Sequence, residues 1–314
     1  MRLSVRPLAL AALAALALSA CHSNGSTPNA PFSRATTVAE LNASGQSLST
    51  YPATSTGTVT PTTYLVGAAT TISSNSLGLS YDHSGNLWVA NFAIPDVLEF
   101  SGSATGNTAP TNTLSGANTT FVEPSAVCVT SSGTIYVADY SADAIDIFSA
   151  GATGNVAPAT RIVGAATGLN GPGGISVDSN GNIWVANYTG DSIEEFSSSA
   201  TGNASPTVTI SGGATTLSEP WELARDRSGN IWVANHLAGT IDEFASSATG
   251  NVAPMNSITL AGATGVALDA RGYIYTVNAS TAIYVYAPGA TGAATPAQTI
   301  TSADISNPWS VAAH

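Results

Sequence analysis

Lysine is absent from this sequence, and 19 acidic residues outnumber the seven arginines, so the formal net charge is −12 at pH 7. Such a chain is repelled by nucleic acid and by anionic membrane surfaces, which excludes nucleic acid as a partner. Only two cysteines occur, Cys21 and Cys128. A disulfide framework is therefore excluded, and the fold must depend on its core, which 44% hydrophobic residues make attainable.

The only long apolar run lies at the N-terminus, and residues 1–20 are predicted to be a signal peptide. Arg2 and Arg6 precede an apolar run over residues 8–18, which is too short for a permanent membrane span. The run ends in Leu18-Ser-Ala-Cys21, which resembles a bacterial lipobox. That resemblance implies cleavage before Cys21, a diacylglycerol on its sulfur and an acyl chain such as palmitate on its amino group. An ordinary secretory signal with a chance cysteine is the alternative.

Residues 21–35 are polar and rich in turn formers, and we expect a lipidated flexible tether. Two or three acyl chains give the stable anchoring that a single chain does not. By resemblance to Gram-negative sorting signals, His22 in place of Asp after the cysteine favours the outer membrane. The expected location is therefore the cell envelope, with the protein on the periplasmic or the surface side. Cys128, in the apolar segment Ala126–Val129, is expected to be a small buried hydrophobe rather than a nucleophile.

A short motif, Thr-Gly, then any three residues, then Pro, recurs along the remaining chain. Successive copies are 49, 48, 48, 48 and 42 residues apart, a period typical of propellers and other repeat arrays. The copies begin at Thr56, Thr105, Thr153, Thr201, Thr249 and Thr291.

Each repeat reads as four short strands separated by turns. In the third copy we predict strands over 174–178, 183–186, 192–196 and 206–210, with Pro206 opening the fourth. The second strand is apolar on both faces, so neighbouring modules must cover the sheet on both sides. Proline at the outer edge strand discourages edge pairing.

The chain contains six first strands, and the last of them, over residues 309–313, has no strands behind it. The segment 38–67 supplies the missing three strands. We therefore predict an all-β fold, a six-bladed β-propeller of four-stranded antiparallel blades over residues 36–314. One blade is shared between the two ends of the chain and closes the ring.

The pattern Pro-x-Gly-Ile-x-Val-Asp-x-x-Gly-Asn-Ile-Trp-Val-Ala-Asn, best matched by residues 172–196, resembles the NHL repeat and its gluconolactonase-like and streptogramin-lyase-like relatives. The resemblance covers about residues 75–314 and, more faintly, 38–67. It implies the propeller fold, but such motifs specify a blade far better than an activity.

The enzymatic members of that family carry residues that this chain does not match. Gluconolactonase-like enzymes place metal-binding Asn and Asp at the starts of inner strands. The corresponding residues here are Ser125, Gly173, Trp221, Thr264 and Trp309. Streptogramin lyases share a Glu-x-His pair, and none of the histidines at 22, 83, 236 and 314 follows a glutamate by two. His236 occupies an aromatic slot of the repeat. We therefore expect no catalytic residue, no metal ligand and no cofactor from these motifs.

The hairpins with the pattern Asp178-Ser-Asn-Gly-Asn182 resemble a calcium loop, but the Gly position fits a tight turn better. The acidic residues of the third strands are most simply a solvated rim. These are Glu99, Asp146, Glu194, Glu195, Asp242 and Glu243.

One face of the disc departs from the repeat, and it is the candidate binding face. The ends of second strands and the starts of first strands meet there because the two run antiparallel. Its candidate residues are Asn75, Asn91, Glu123, Asp139, Asn187, Glu219, Trp221, Asn235, His236, Asn307 and Trp309. The Asn and Asp residues at the ends of the second strands are called here the Asn/Asp ring. Most of their side chains are expected to hydrogen-bond to the backbone of their own loops. Trp221 and Trp309 either anchor a partner or fill the mouth of the central channel.

The sequence thus predicts a monomeric, lipid-anchored propeller that binds a protein, peptide or glycan. A lyase or lactonase with an unrecognised metal site is the alternative, and a purely structural envelope protein is a third. Convergent titratable groups are scarce, which disfavours the enzyme.

Overall fold

The computed structural model describes residues 34–314, and the predicted signal peptide and nearly all of the tether lie outside this range. Strands and turns make up almost all of it, apart from single 3-10 turns at Ala68–Thr70 and Ala117–Thr119. Among the described residues, no helix has the length and hydropathy that a membrane span requires.

Six sheets form the blades, numbered here in chain order. Blade 1 contains β1 (Thr37–Asn42), β2 (Ser47–Pro52) and β4 (Thr63–Val66). The two-residue β3 (Gly57–Thr58), which lies between β2 and β4 in the chain, belongs to the sheet of blade 6. Blade 2 contains β5 (Ser76–Tyr81), β6 (Leu87–Asn91), β7 (Asp96–Phe100) and β8 (Asn112–Ser115). Blade 3 contains β9 (Pro124–Val129), β10 (Ile135–Asp139), β11 (Ala144–Phe148) and β12 (Thr160–Val163).

Blades 4 to 6 repeat the same order of four antiparallel strands. Blade 4 contains β13 (Pro172–Val177), β14 (Ile183–Asn187), β15 (Ser192–Phe196) and β16 (Val208–Ser211). Blade 5 contains β17 (Pro220–Arg225), β18 (Ile231–Asn235), β19 (Thr240–Phe244) and β20 (Asn256–Thr259). Blade 6 contains β21 (Ala263–Leu268), β22 (Ile274–Asn278), β23 (Ala282–Tyr286) and β24 (Gln298–Thr301). The last strand, β25 (Pro308–Ala313), returns to blade 1.

The predicted ring closure is confirmed. Strand β25 pairs antiparallel with β1 and forms the innermost strand of blade 1, with Val311 opposite Glu40 and Ala313 opposite Val38. The backbone N–H groups of Thr36 and Thr37 both donate to the carbonyl of His314. The two ends of the chain are thereby held in one sheet.

The core lies between blades, as the apolar second strands require. All five residues of β14 are buried. One cluster joins Cys128 and Ile145 of blade 3 to Ile175 and Val185 of blade 4. Each blade is thus covered on both faces by its neighbours, which explains the absence of alternation in its second strand.

The Thr-Gly motif bridges neighbouring blades. Gly202 donates its N–H to Arg161 O at 2.7 Å and accepts from Val163 N at 2.9 Å, so blade 4 adds a short parallel bridge to the outer strand of blade 3. Asn203 Oδ1 accepts a hydrogen bond from Ala166 N at 2.7 Å. The proline lies two residues ahead of the fourth strand rather than opening it, because the ladder starts with Thr207 N donating to Glu195 O.

The same bridge closes the ring, since β3 pairs in parallel with β24 of blade 6. In four of the motifs, the residue after Gly is an asparagine whose side chain accepts a hydrogen bond from the backbone of the neighbouring loop. These are Asn107, Asn155, Asn203 and Asn251. The motifs at the two boundaries of blade 6 carry Thr58 and Ala293 instead. Those two boundaries lack the asparagine cap, and at one of them the Thr58 and Thr301 hydroxyls form a hydrogen bond of 3.1 Å instead.

Cys128 is fully buried, as expected for a small hydrophobe. It is also disulfide-bonded, a single bond that was not predicted from the sequence and that does not amount to a disulfide framework. The sequence has only one other cysteine, Cys21, which lies outside the described residues.

Candidate functional site

The loop face is defined here as the face where second strands end and first strands begin. It comprises the loops 43–46, 92–95, 140–143, 188–191, 236–239 and 279–281, and the inter-blade loops 67–75, 116–123, 164–171, 212–219, 260–262 and 302–307. The opposite hairpin face carries the turns between first and second strands. Antiparallel pairing within each blade brings the candidate residues together on the loop face, as the sequence predicts.

The Asn/Asp ring lies beneath the loops of this face and holds them by hydrogen bonds. Asn91, Asp139, Asn187 and Asn235 are fully buried. Asp139 accepts hydrogen bonds from the backbone N–H groups of Val122 and Glu123, both at 2.8 Å. Burial raises the pKa of Asp139, although these bonds to the backbone oppose the shift.

The three asparagines of the ring act in the same way. Asn91 Nδ2 donates to Thr71 O at 3.0 Å, Asn187 Oδ1 accepts from Asn170 N at 3.2 Å, and Asn235 Oδ1 accepts from Ser218 N at 3.4 Å. All four residues hold the loops of the face in place, and a ligand on the surface meets those loops rather than the ring itself.

The residues that enter the first strands are more accessible. Asn75 is exposed, and Glu123, Glu219 and Asn307 are half-buried. Glu219 Oε2 accepts a hydrogen bond from Tyr188 Oη at 2.7 Å. Glu123 Oε2 accepts from Ser141 Oγ, and Asn307 Nδ2 donates to Ser44 Oγ at 3.0 Å.

A continuous aromatic cluster crosses the loop face from blade 2 to blade 1. Its members are Phe92, Tyr140, Tyr188, Trp221, His236 and Trp309. Tyr188 packs edge-on against Trp221 at 5.2 Å between ring centroids, and Trp221 packs edge-on against Trp309 at 5.6 Å. His236 lies between Tyr188 and Trp309, at 6.4 and 5.4 Å. The aromatic slot predicted for His236 is thus part of a larger surface.

The two tryptophans have different roles. Trp221 is 4% exposed, and a Cβ added to Gly173 would come within 3.0 Å of its ring. The space beneath it, between the first strands of blades 2 to 5, has no room for a water molecule. Trp221 therefore fills the mouth of the channel, whereas Trp309 is only half-buried and reaches the surface.

Sequence reasoning missed Glu222, which lies next to Trp221 and is 5% exposed. Its Oε2 accepts from Val266 N of blade 6 at 2.9 Å, and its Oε1 accepts from Ser310 Oγ of blade 1 at 2.6 Å. The carboxylate thus joins three blades. The signal was present in the repeat, because the corresponding positions of the other blades hold only small residues: Gly78, Ala126, Gly174, Gly265 and Ser310.

The acidic belt of the third strands is not a uniformly solvated rim, and that prediction is wrong for half of its members. Asp146, Glu194 and Asp242 are buried between blades, while Glu99, Glu195 and Glu243 are half-buried. Arg161 Nε pairs with Asp146 at 2.9 Å. Burial raises the pKa of Asp146 to about 6 and that of Glu194 to about 7.

The Asp178–Asn182 segment is a turn. Asp178 Oδ1 accepts from the N–H groups of Asn180 and Asn182 at 2.8 and 2.9 Å, and Gly181 has a φ of 82°. Within residues 34–314, no group of three or more His, Cys, Asp or Glu side chains is placed to hold a metal ion.

The hairpin face holds a cavity beside its hairpin tips. An open cavity of about 470 Å³ lies between blades 4 and 5. The Arg225 guanidinium lies over the Trp184 ring at 4.6 Å and pairs with Asp178 at 3.1 Å. Those contacts engage the charged groups of Arg225 and Asp178 with each other within the protein.

The loop face carries both exposed apolar side chains and acidic groups. Ile94, Val122 and Leu237 are 46%, 52% and 67% exposed. The loops of this face contain five acids and no arginine, and the chain has no lysine. The acids are Glu123, Asp143, Asp191, Glu219 and Asp304.

Comparison with solved structures supports the fold. A chain of a nidogen/laminin complex is 15% identical with a TM-score of 0.65, covering 88% of this chain and 98% of that chain. The WD40 β-propeller domain of Doa1 is 13% identical with a TM-score of 0.58, covering 94% and 89%. A putative 6-phosphogluconolactonase from Bacteroides uniformis ATCC 8492 is 17% identical with a TM-score of 0.52, covering 81% and 79%.

No curated protein sequence matches the chain significantly. The family model described as the SMP-30/gluconolactonase/LRE-like region matches residues 41–216, which is more than half of the chain. That range runs from the end of β1 into the loop between blades 4 and 5. The chain therefore belongs to the SMP-30/gluconolactonase/LRE-like family of β-propellers.

Proposed function

We propose that this protein is a binding module that holds a protein, peptide or glycan on its loop face. The observation that carries the proposal is the coincidence of exposed aliphatic side chains with a half-buried aromatic cluster on one face. Ile94, Val122 and Leu237 are exposed around Phe92, Tyr140, Tyr188, His236 and Trp309. Exposed apolar patches rimmed by polar groups mark interaction sites, and aromatic anchors contribute much of the binding energy at such sites.

Lipid attachment at Cys21 is the second part of the proposal. The sequence Leu18-Ser-Ala-Cys21, preceded by a basic and then an apolar segment, supports it. The lipid would hold the propeller at the outer membrane through the short polar tether, on its periplasmic or surface side. The loop face would then present its partner at the cell envelope.

A labelled soluble domain, residues 21–314 expressed without the signal peptide so that both cysteines are kept and no lipid is added, tests the binding role on a peptide array and a glycan array. Leu237→Ser and Met255→Ser are a matched pair, because both residues are more than half exposed and only Leu237 lies on the loop face. We expect Leu237→Ser to reduce array signals at least fivefold and Met255→Ser to leave them unchanged. Equal signals for both variants would contradict the proposed face.

Family membership supports a second candidate, a lyase or lactonase that uses a metal site. The first-strand hydroxyls of Ser125 and Thr264 donate to the carbonyls of Pro172 and Pro308 at 2.6 and 3.2 Å, so both are occupied in joining blades. Metal analysis of the purified domain, followed by lactone hydrolysis assays with added divalent ions, distinguishes the two candidates. A stoichiometric metal together with turnover would favour the enzyme.

A further inference from the structure

We propose that the loop face recognises a cationic polypeptide segment, with arginine side chains stacking on its aromatic rings and pairing with its carboxylates. This inference rests on the binding role proposed above and names its partner. Three features carry it: the rings, the charge of the surrounding loops and the spread of exposed apolar side chains.

The rings provide a surface suited to cations. Phe92, Tyr140, Tyr188, His236 and Trp309 are all half-buried, and Trp221 packs beneath them. The faces of Trp, Tyr and Phe rings carry negative potential and attract a guanidinium or ammonium group. Arginine fits such a surface better than lysine, because its planar group stacks on a ring while its N–H groups remain free for carboxylates.

Carboxylates lie beside these rings without an opposing positive charge in the same loops. Glu219 meets the Tyr188 hydroxyl at 2.7 Å, and Glu123 meets the Ser141 hydroxyl. Asp143 and Asp191 are exposed and accept backbone N–H groups of Gly171 and Glu219 at 2.7 and 2.8 Å. A guanidinium would add charge-assisted hydrogen bonds to these carboxylates.

All five arginines of the described range lie away from the loop face. Arg34 packs over Tyr273, Arg161 is in β12, Arg225 ends β17, and Arg227 and Arg271 lie in hairpins of blades 5 and 6. The face is therefore anionic as well as aromatic. It disfavours acidic partners and attracts basic ones at long range.

The apolar groups indicate a partner that is longer than one side chain. Ile94 lies in blade 2, Val122 in the entry to blade 3 and Leu237 in blade 5, so they surround the cluster instead of lining one pocket. An extended peptide that carries apolar residues between its basic ones would cover them. A single small cation would leave them in water.

Fluorescence anisotropy at 150 mM salt tests the inference with four labelled peptides of eight residues. Each alternates leucine with one other residue: arginine, lysine, serine or glutamate. For the wild-type domain we expect the arginine peptide to bind best, the lysine peptide more weakly, and the serine and glutamate peptides at least tenfold more weakly than arginine.

Three variants with verified melting temperatures locate the binding. Glu219→Gln and Trp309→Ser should each weaken arginine-peptide binding at least fivefold. Glu195→Gln removes the same charge from a half-buried residue of β15, outside the loop face, and should leave the affinity within twofold. Equal weakening by Glu195→Gln would show general attraction to an acidic protein and overturn the inference.

The failures of the two proposals are distinguishable. If no arginine preference is found while array ligands still depend on Leu237, the cationic partner is wrong and the binding face stands. If neither peptides nor arrays give a signal that depends on Leu237 or Trp309, both proposals fail. Preference for the glutamate peptide would overturn the charge argument directly.

Discussion

The buried carboxyl group of Glu40 makes the stability of this propeller depend on pH. Glu40 lies in β1, where the second strands of blades 2 to 5 have Val89, Val137, Val185 and Val233. It is fully buried, and its Oε2 has no hydrogen-bond partner among the described residues. Burial raises the pKa of Glu40 from 4.5 to about 8, and nearby Asp304 adds to the increase.

The direction of the effect follows from linkage. In the unfolded chain this carboxyl group ionises near its ordinary pKa, whereas in the fold it keeps its proton until about pH 8. The contribution of the protonated Glu40 carboxyl group to the free energy of unfolding is complete below about pH 4.5, and it is lost as the pH rises through 8. One pKa unit corresponds to about 1.4 kcal/mol, so the free energy at stake is several kcal/mol, a large fraction of a typical stability.

Glu40→Gln removes the titration and keeps the hydrogen bond that Asn42 Nδ2 donates at 3.0 Å. Urea unfolding at pH 5, 7 and 9 should show that the wild type loses stability across this range. The variant should resemble the wild type at pH 5 and be more stable by several kcal/mol at pH 9. Glu194, with its pKa at about 7, and Asp96 and Asp146, with pKa values at about 6, leave the variant a remaining loss in the same direction, so the difference between the two proteins is the measurement that isolates Glu40. A wild type that gains stability from pH 5 to 9, or a variant with the same slope, would show that Glu40 is not the source of the pH dependence.

Three further predictions concern closure, blade bridging and anchoring. Deleting residues 307–314 removes β25, whose Val311 and Ala312 are buried. This deletion should lower Tm by about 10 °C or more, or leave the protein insoluble. An unchanged melting temperature would contradict the closed ring. Asn203→Ala removes the hydrogen bond to Ala166 N and should lower the free energy of unfolding by about 1 kcal/mol, or Tm by roughly 2–4 °C. Asn180→Ala, in an exposed hairpin, should lower the stability less. Calorimetry that ranks the two variants in the opposite order would refute the bridging role of Asn203. Cys21→Ser should release the protein from membranes, and the intact mass of the wild type should show lipid on Cys21. The anchor would be ruled out by a mature wild type whose mass shows a disulfide and no lipid. It would also be ruled out by a variant of mature size that stays with membranes.

Sequence pattern predicted the architecture because it repeats. The recurring Thr-Gly motif counted the blades, and the first strand left over at residues 309–313 required the segment 38–67 as its partner. Apolar residues on both faces of the second strands indicated cover from both neighbours, which is what the clusters between blades provide. These features depend on local pattern alone.

The environments of single residues could not be predicted in the same way. Trp221 and Trp309 occupy equivalent positions in their blades. Trp221 packs against Gly173 and Tyr188 and is buried, whereas Trp309 is only half-buried. Asp146 and Glu194 read as rim residues because a strand pattern does not show which loop of another blade covers them. Thr120 donates to Asp146, and Gly168 packs against Glu194. Burial of this kind depends on contacts made across the blade boundary.

The most direct test of the account is a hydrogen–deuterium exchange footprint of the domain with its best array ligand or arginine peptide. We expect protection in the loops 92–95, 140–143, 188–191 and 236–239 of the loop face, with the hairpins at 178–182 and 226–230 unchanged. Protection confined to those hairpins, beside the cavity between blades 4 and 5, would contradict that expectation.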